Sequence, residues 1–439
     1  MNVSEKNVTG KKVIKLGEAT LLVIGIVIGS GVFFKPSKVL ADVGGAPGLA
    51  ILAWVVGAVI TIAGALSIAE IGSAIPKTGG LMVYLKELYG EKFYFLMGWV
   101  QVLVYFPGIA AALSVVFASQ CTTLADITPG GQKILAVIFI VLLTAINLIS
   151  TKAATKFTVI FTIGKLIPIA AIFIFGLIMG HAHGFVPMIS DKSTGAGFGA
   201  AILGVLFSFE GWITLTNMGN EIEKPSKNLP KAIIFGLSFI TLIYLGVNIA
   251  IFNTMLPIEV MASKKVAADA AVILFGPLGA KLIAVGILVS ITGCVSGLLL
   301  TASRLPYAMA EDSLIPFKNF FGKTSKSGTP VNALIFQGVL GIIYAVSGSF
   351  DALTNLAVFV IWLFFLLGIG GVFILRSKHK ELISDEQYKV PLYPVVPIIG
   401  ILGAVYIVIS TLITSTSYAI FGIGVTLLGL PVYAYLKRK

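Results

Sequence analysis

Charge is scarce in this chain. Only 11% of its 439 residues are Asp, Glu, Lys or Arg, and 57% are apolar, whereas soluble domains carry roughly 25% charged residues. That balance excludes an ordinary soluble domain. Cysteine is nearly absent: Cys121 and Cys294 form no metal spacing, and their separation gives no reason to infer a disulfide. Histidine occurs three times, as His181, His183 and His379, and never inside an apolar run. No HExxH, GxSxG or GxxxxGK[ST] is present, so enzyme chemistry and ATP-driven pumping have no motif behind them. No metal or other cofactor is expected. Neither a filter sequence nor a hydrated polar helix face suggests a channel.

Long apolar runs are what the chain has in plenty. Twelve are read, at approximately 15–40, 47–74, 93–120, 133–151, 156–180, 197–219, 231–254, 271–303, 331–348, 352–376, 394–413 and 417–436. A run of about 20 such residues spans about 30 Å of hydrocarbon. No soluble domain separates them, so residues 1–439 form one polytopic membrane domain behind a polar tail, 1–14. The first run is too long, and lacks the small-residue cleavage site, to be a removed signal. With the N-terminus in the cytoplasm, 23 of the 31 Lys and Arg fall in inside loops and ends, seven fall outside, and Lys165 is left within a span. That asymmetry places both termini in the cytoplasm. It also makes the net charge of +12 topological rather than a nucleic-acid footprint.

Two of the runs are broken. The first carries Ile28-Gly29-Ser30-Gly31-Val32 in its middle, and the sixth carries Phe207-Ser208-Phe209-Glu210-Gly211-Trp212. Hydrocarbon offers a backbone no hydrogen-bond partners, so breaks at mid-depth are costly unless they line a cavity. Such breaks are how many secondary transporters build a substrate site. Spans 1–5 (15–180) and 6–10 (197–376) would then have opposite orientation, an inverted repeat with spans 11 and 12 (394–436) appended. Unwinding at Gly29, Ser30 and Gly31 frees N–H groups at a helix N-terminus, which suit a carboxylate. The carbonyls near Val27, Phe207 and Ser208 lose helical partners and can accept from an ammonium. Together these walls fit an amino acid zwitterion, with Gly211 completing the second break. The blander alternative is a small-xxx-small packing face made by Gly25 and Gly29.

Other residues carry sharper or blander readings. Phe207 is a candidate gate over the ligand, and packing is its alternative. Glu210 is an ionisable group at mid-depth, free to receive an ammonium, carry a proton or hold the unwound turn. Lys165, also near mid-span, can supply a fixed or titrating ammonium in place of a coupling sodium ion, and a snorkelling lysine is the alternative. Tyr244 is expected to bond Lys165, the substrate, or simply a local acceptor. Arg304 is expected to pair with Glu311 and Asp312. Glu70, Pro76, Lys77, Gly79 and Gly80 read as a charged inner loop.

Six segments in this order also resemble a known superfamily. They are Ile28-Gly29-Ser30-Gly31-Val32-Phe33, the stretch from Ala69 to Gly80, Phe207 to Trp212, Asn220 to Pro230, Ser303 to Ala310, and Tyr388 to Pro394. Their set is similar to the amino acid–polyamine–organocation superfamily, near its L-type amino acid transporters and bacterial serine/threonine exchangers. The resemblance implies an all-α integral membrane protein of twelve helices. It implies a LeuT-type five-plus-five inverted repeat with helices 1 and 6 broken, and alternating access. It further implies sodium-independent exchange of small neutral L-amino acids such as Ala, Ser, Thr or Cys, with proton-coupled symport the alternative. In site terms it implies carboxylate binding by Gly29, Ser30 and Gly31 with Val27 just before, a gate at Phe207, and coupling roles for Lys165 and Tyr244. Where several L-type members carry glycine, this chain has Glu210. Eukaryotic members pair with a glycoprotein through an outer cysteine after span 3. Cys121 lies near the end of span 3, and no heavy subunit is expected; the chain is read as a monomer with the lipid bilayer as its surroundings.

Overall fold

The computed structural model describes residues 14–75, 77, 79–149, 166–218, 222–325, 329–384 and 387–438. Among the described residues there is no β-sheet, only two isolated bridges. The chain is built of helices: α1 (Leu16–Val27), α2 (Gly31–Asp42), α3 (Pro47–Ala74), α4 (Gly80–Tyr89), α5 (Glu91–Cys121), α6 (Pro129–Ile149), α7 (Leu166–Met179) and α8 (Gly195–Ser208). They continue with α9 (Pro225–Thr254), α10 (Val266–Glu311), α11 (Val331–Ser347), α12 (Phe350–Lys378), α13 (Val395–Thr414) and α14 (Thr416–Arg438). Eight of these are long and apolar enough to cross a membrane, and α1 with α2 makes one more span bent by 54°. Three shorter apolar helices, α7, α8 and α11, stand at other expected spans.

The helices turn apolar side chains in both directions. Ile134, Ile138, Leu142, Ile146 and Ile149 recur every three or four residues along α6 and stay exposed, a stripe that only lipid would cover. Inward, α9 packs against α3, α1 and α7, while α5 packs against α6, α10, α11 and α12. The two groups meet directly, α3 on α12 and α7 on α10, and α8 packs against α2, α3, α12 and α13.

Three local expectations are corrected. Glu70 is not in a charged loop. It lies in α3, only 3% exposed, where Arg376 donates to it twice, at 2.7 and 2.8 Å, and Val390 N–H donates at 2.6 Å. A carboxylate so deeply buried is tolerable only with such a set of donors. The expected pairing of Arg304 with Glu311 and Asp312 is replaced by tyrosines: Tyr307 donates to Glu311 and Tyr94 to Asp312, both at 2.7 Å, and Arg304 is exposed. The span expected at 271–303 begins earlier, at Val266, and is kinked where Gly276 takes φ +70° ahead of Pro277, which has no N–H to continue the ladder.

Candidate functional site

The two breaks pack directly on each other. α1 ends at Val27, Ile28 is extended at φ −65° and ψ 100°, and α2 starts at Gly31 with Ser30 as its cap. The first N–H groups of α2 are thereby left without intrahelical acceptors. α8 ends at Ser208, the chain turns at Phe209 and Glu210, and Gly211 takes φ +113° before a short 3₁₀ turn, Trp212–Met218. That φ is cheap only for glycine. A Cβ on Gly31 would stand 2.5–2.8 Å from the Cα, Cβ and Oγ of Ser208, and one on Gly211 would stand 2.8 Å from the Ile26 side chain. Each break is therefore glycine at the point where the other approaches it. Gly29 differs, since a Cβ there would meet only the Val27 carbonyl at 3.7 Å. The packing alternative, drawn for Gly25 and Gly29, finds no close neighbour at Gly29, whereas Gly31 is the glycine that the contact with Ser208 requires.

Tyr244 of α9 ties the breaks together. Its buried hydroxyl lies 2.8 Å from the Ser208 carbonyl and 3.1 Å from the Val27 carbonyl. One hydroxyl proton serves both acceptors, one at a time, and each carbonyl keeps a lone pair. Tyr244 thus finds a local role; Lys165 lies outside the described residues.

Beside the breaks lies a cavity of about 880 Å³. It runs from the breaks along α1 to Glu18 and Ile14, toward the N-terminal end of that helix. Val27, Gly29, Ser30, Gly31, Phe207, Ser208, Glu210 and Gly211 all line it, so the structure brings together every residue singled out around the two breaks. Three buried hydroxyls on its wall, Ser30, Ser208 and Ser290, have no hydrogen-bond partner among the described residues. Unpaired buried polar atoms are expensive, and all three belong to residues that line the cavity, where a modest side-chain rotation would bring them to a polar molecule. Glu210 is bonded by the Tyr105 hydroxyl at 3.1 Å.

On the other side of Phe207 the cavity is shut. The Phe207 ring meets Phe350 edge-on, with centroids 5.5 Å apart, and Phe350 meets Phe34 at 5.9 Å. Lys35 of α2, with no solvent exposure, reaches Asp351 at 2.8 Å and Thr354 at 2.7 Å. Its ammonium also lies 4.7 Å from the Phe350 ring centre and 5.3 Å from that of Phe207.

Sequence reasoning missed Lys35 and Asp351, which are 316 residues apart. It also missed the cavity residues Gln101, Tyr105, Ser290 and Cys294. The signals were slight: Pro107 interrupts the third span just after two polar residues, and Ser290 and Cys294 stand four apart on one face of α10.

An amino acid permease family model matches residues 14–428. The chain belongs to the amino acid permease family. Among its relatives, the serine/threonine exchanger SteT of Bacillus subtilis is 42% identical over 98% of each chain. The large neutral amino acids transporter small subunit 2 of Homo sapiens is 32% identical over 96% of this chain and 80% of its own. The b(0,+)-type amino acid transporter 1 of Mus musculus is 30% identical over 94% and 85%. This permease is therefore a multi-pass membrane protein and a transporter rather than an enzyme, as the missing catalytic motifs implied.

Proposed function

We propose that this permease exchanges small neutral L-amino acids across the cell membrane, without sodium, by alternating access. The observation that carries the reading is the cavity at the meeting of two broken helices, lined by three serines whose hydroxyls have no partner among the described residues, in a chain 42% identical to a serine/threonine exchanger. Among the described residues, eight long helices, one bent pair and three shorter apolar helices support a reading of twelve spans, a five-plus-five repeat with two appended.

In this reading the N–H groups opening α2 around Gly29, Ser30 and Gly31 take the substrate carboxylate, because a helix N-terminus is a ready anion site. The free lone pairs of the Val27 and Ser208 carbonyls take the ammonium. Glu210 and Gly211 border the substrate, and Ser290 is placed for a side-chain hydroxyl. Phe207 is the lid. With both termini cytoplasmic, the cavity opens inward along α1, and Lys35, Asp351 and Phe350 close the outer side. Transport then requires these outer contacts to part as the inner mouth narrows. Lys165 and Tyr244 keep their conformational roles, Tyr244 by holding both breaks. No heavy subunit is required.

A second reading, proton-coupled symport, is favoured by one observation: Glu210 sits on the cavity wall with Tyr105 as its one side-chain donor among the described residues. A carboxylate so placed can carry a proton with the substrate.

Ligand-dependent thermal stabilisation of the purified permease tests the substrate class. L-serine, L-threonine and L-alanine should raise the unfolding temperature, and L-arginine and L-glutamate should not. Stabilisation by the charged amino acids alone would overturn the assignment.

A further inference from the structure

We propose that Gln337 and Tyr344 are positioning residues for the substrate site, although no residue of their helix, α11, lines the cavity. They act by holding a π turn in α5. The inference rests on the site reading above and extends it to a helix the site does not touch.

The π turn covers Gln101–Tyr105, and both of its end residues line the cavity. Its cause is legible in the backbone. Pro107 follows two residues later and has no N–H, so it cannot serve Leu103 in the α register or Val102 in the π register. The N–H of Phe106, which would have served Val102 in an α-helix, is given to the carbonyl of Gln101 instead. Two carbonyls are thus short of backbone donors inside the protein, where an unpaired one is costly. Both are met from α11: Gln337 Nε2 donates to the Val102 carbonyl at 2.9 Å, and the Tyr344 hydroxyl donates to the Leu103 carbonyl at 3.0 Å. Gln337 is fully buried.

The extra residue of a π turn rotates the side chains that follow it, and such turns cluster at functional sites. Here Tyr105, the last residue of the turn, faces the second break, where its hydroxyl donates to Glu210. The chain of contacts therefore runs from α11, through the Val102 and Leu103 carbonyls, to Tyr105 and then to Glu210. Remove the donors on α11, and the local backbone is free to seek other partners, moving Tyr105 off the carboxylate. A buried hydrogen bond lost in this way is felt as a weaker site rather than a missing one.

The test is exchange of L-serine in liposomes, comparing KM and kcat for Gln337→Met, Tyr344→Phe, Tyr105→Phe, Glu210→Gln and the paired variants. Gln337→Met keeps the length and removes the donor, and Tyr344→Phe removes one oxygen. Each should raise KM roughly fivefold, the effect of one hydrogen bond, with kcat nearly unchanged. Combined with Tyr105→Phe, neither should raise it further, because both act through that tyrosine. Multiplying effects, or an unchanged KM in both α11 variants, would overturn the inference. If Gln337→Met fails to fold, Tyr344→Phe carries the same test alone. If KM moves in Tyr105→Phe and Glu210→Gln but not in the α11 variants, this inference fails and the site reading stands. If it moves in none of the four, the site reading fails as well.

Discussion

Breaking the Lys35–Asp351 pair should open the outer side of the permease, and it should matter which partner is changed. Lys35 is completely buried, whereas the Asp351 side chain is 37% exposed. In Asp351→Asn the ammonium stays buried with Thr354, two aromatic faces and a neutral amide oxygen, and loses its paired carboxylate. Stranding a buried charge costs about 3–5 kcal/mol. Because the aspartate end is open to solvent and screened, about 2 kcal/mol is the reasonable share. The closed state should then lose roughly thirtyfold to the open one, at about 1.4 kcal/mol per factor of ten. In Lys35→Met the remaining carboxylate simply hydrates and the methionine fills the space, so the loss should be about 1 kcal/mol or less, roughly fivefold. Cys294 is a built-in reporter, since it lines the cavity and a membrane-impermeant maleimide outside intact cells reaches it only when the outer side opens. In a Cys121→Ser background, labelling should be fastest in Asp351→Asn, intermediate in Lys35→Met and slowest in the parent. Equal rates in all three, or the reverse order, would refute the reasoning.

Two further outcomes follow from the contact between the breaks. Gly31→Ala should lower stability by about 1–3 kcal/mol, the usual cost of overpacking, because the new methyl group meets Ser208; a thermal melt unchanged from the parent would show that the breaks separate freely. Tyr244→Phe leaves the Val27 and Ser208 carbonyls without their shared donor and should cost about 1–3 kcal/mol, with slower exchange. Unaltered melting and exchange would reduce that tyrosine to packing.

Much of the site was legible because its parts are local. Gly29, Ser30 and Gly31 in one apolar run and Glu210 with Gly211 in another defy what a membrane helix needs, and the structure brings them to one cavity. The reason for Gly31 was not legible, since only the fold shows that Ser208 occupies the space a side chain would need. Lys35 lies near the end of the first expected run, 15–40, and nothing beside it in the sequence marks it as buried. Its burial depends on Asp351 and Phe350, which arrive from α12, and no local pattern announces them. The π turn has a local cause in Pro107, but its stability depends on donors from α11 that lie 235 and 241 residues away. Glu70 misled in the same way, its partners Arg376 and Val390 coming from the far end of the chain.

The central claim is exchange, and it is tested most directly by uptake of radiolabelled L-serine into liposomes holding the purified permease. Liposomes loaded with unlabelled L-serine should accumulate the label, and empty ones should not, with or without a sodium gradient. Uptake into empty liposomes that grows with an inward proton gradient would contradict exchange and assign the permease to proton-coupled symport.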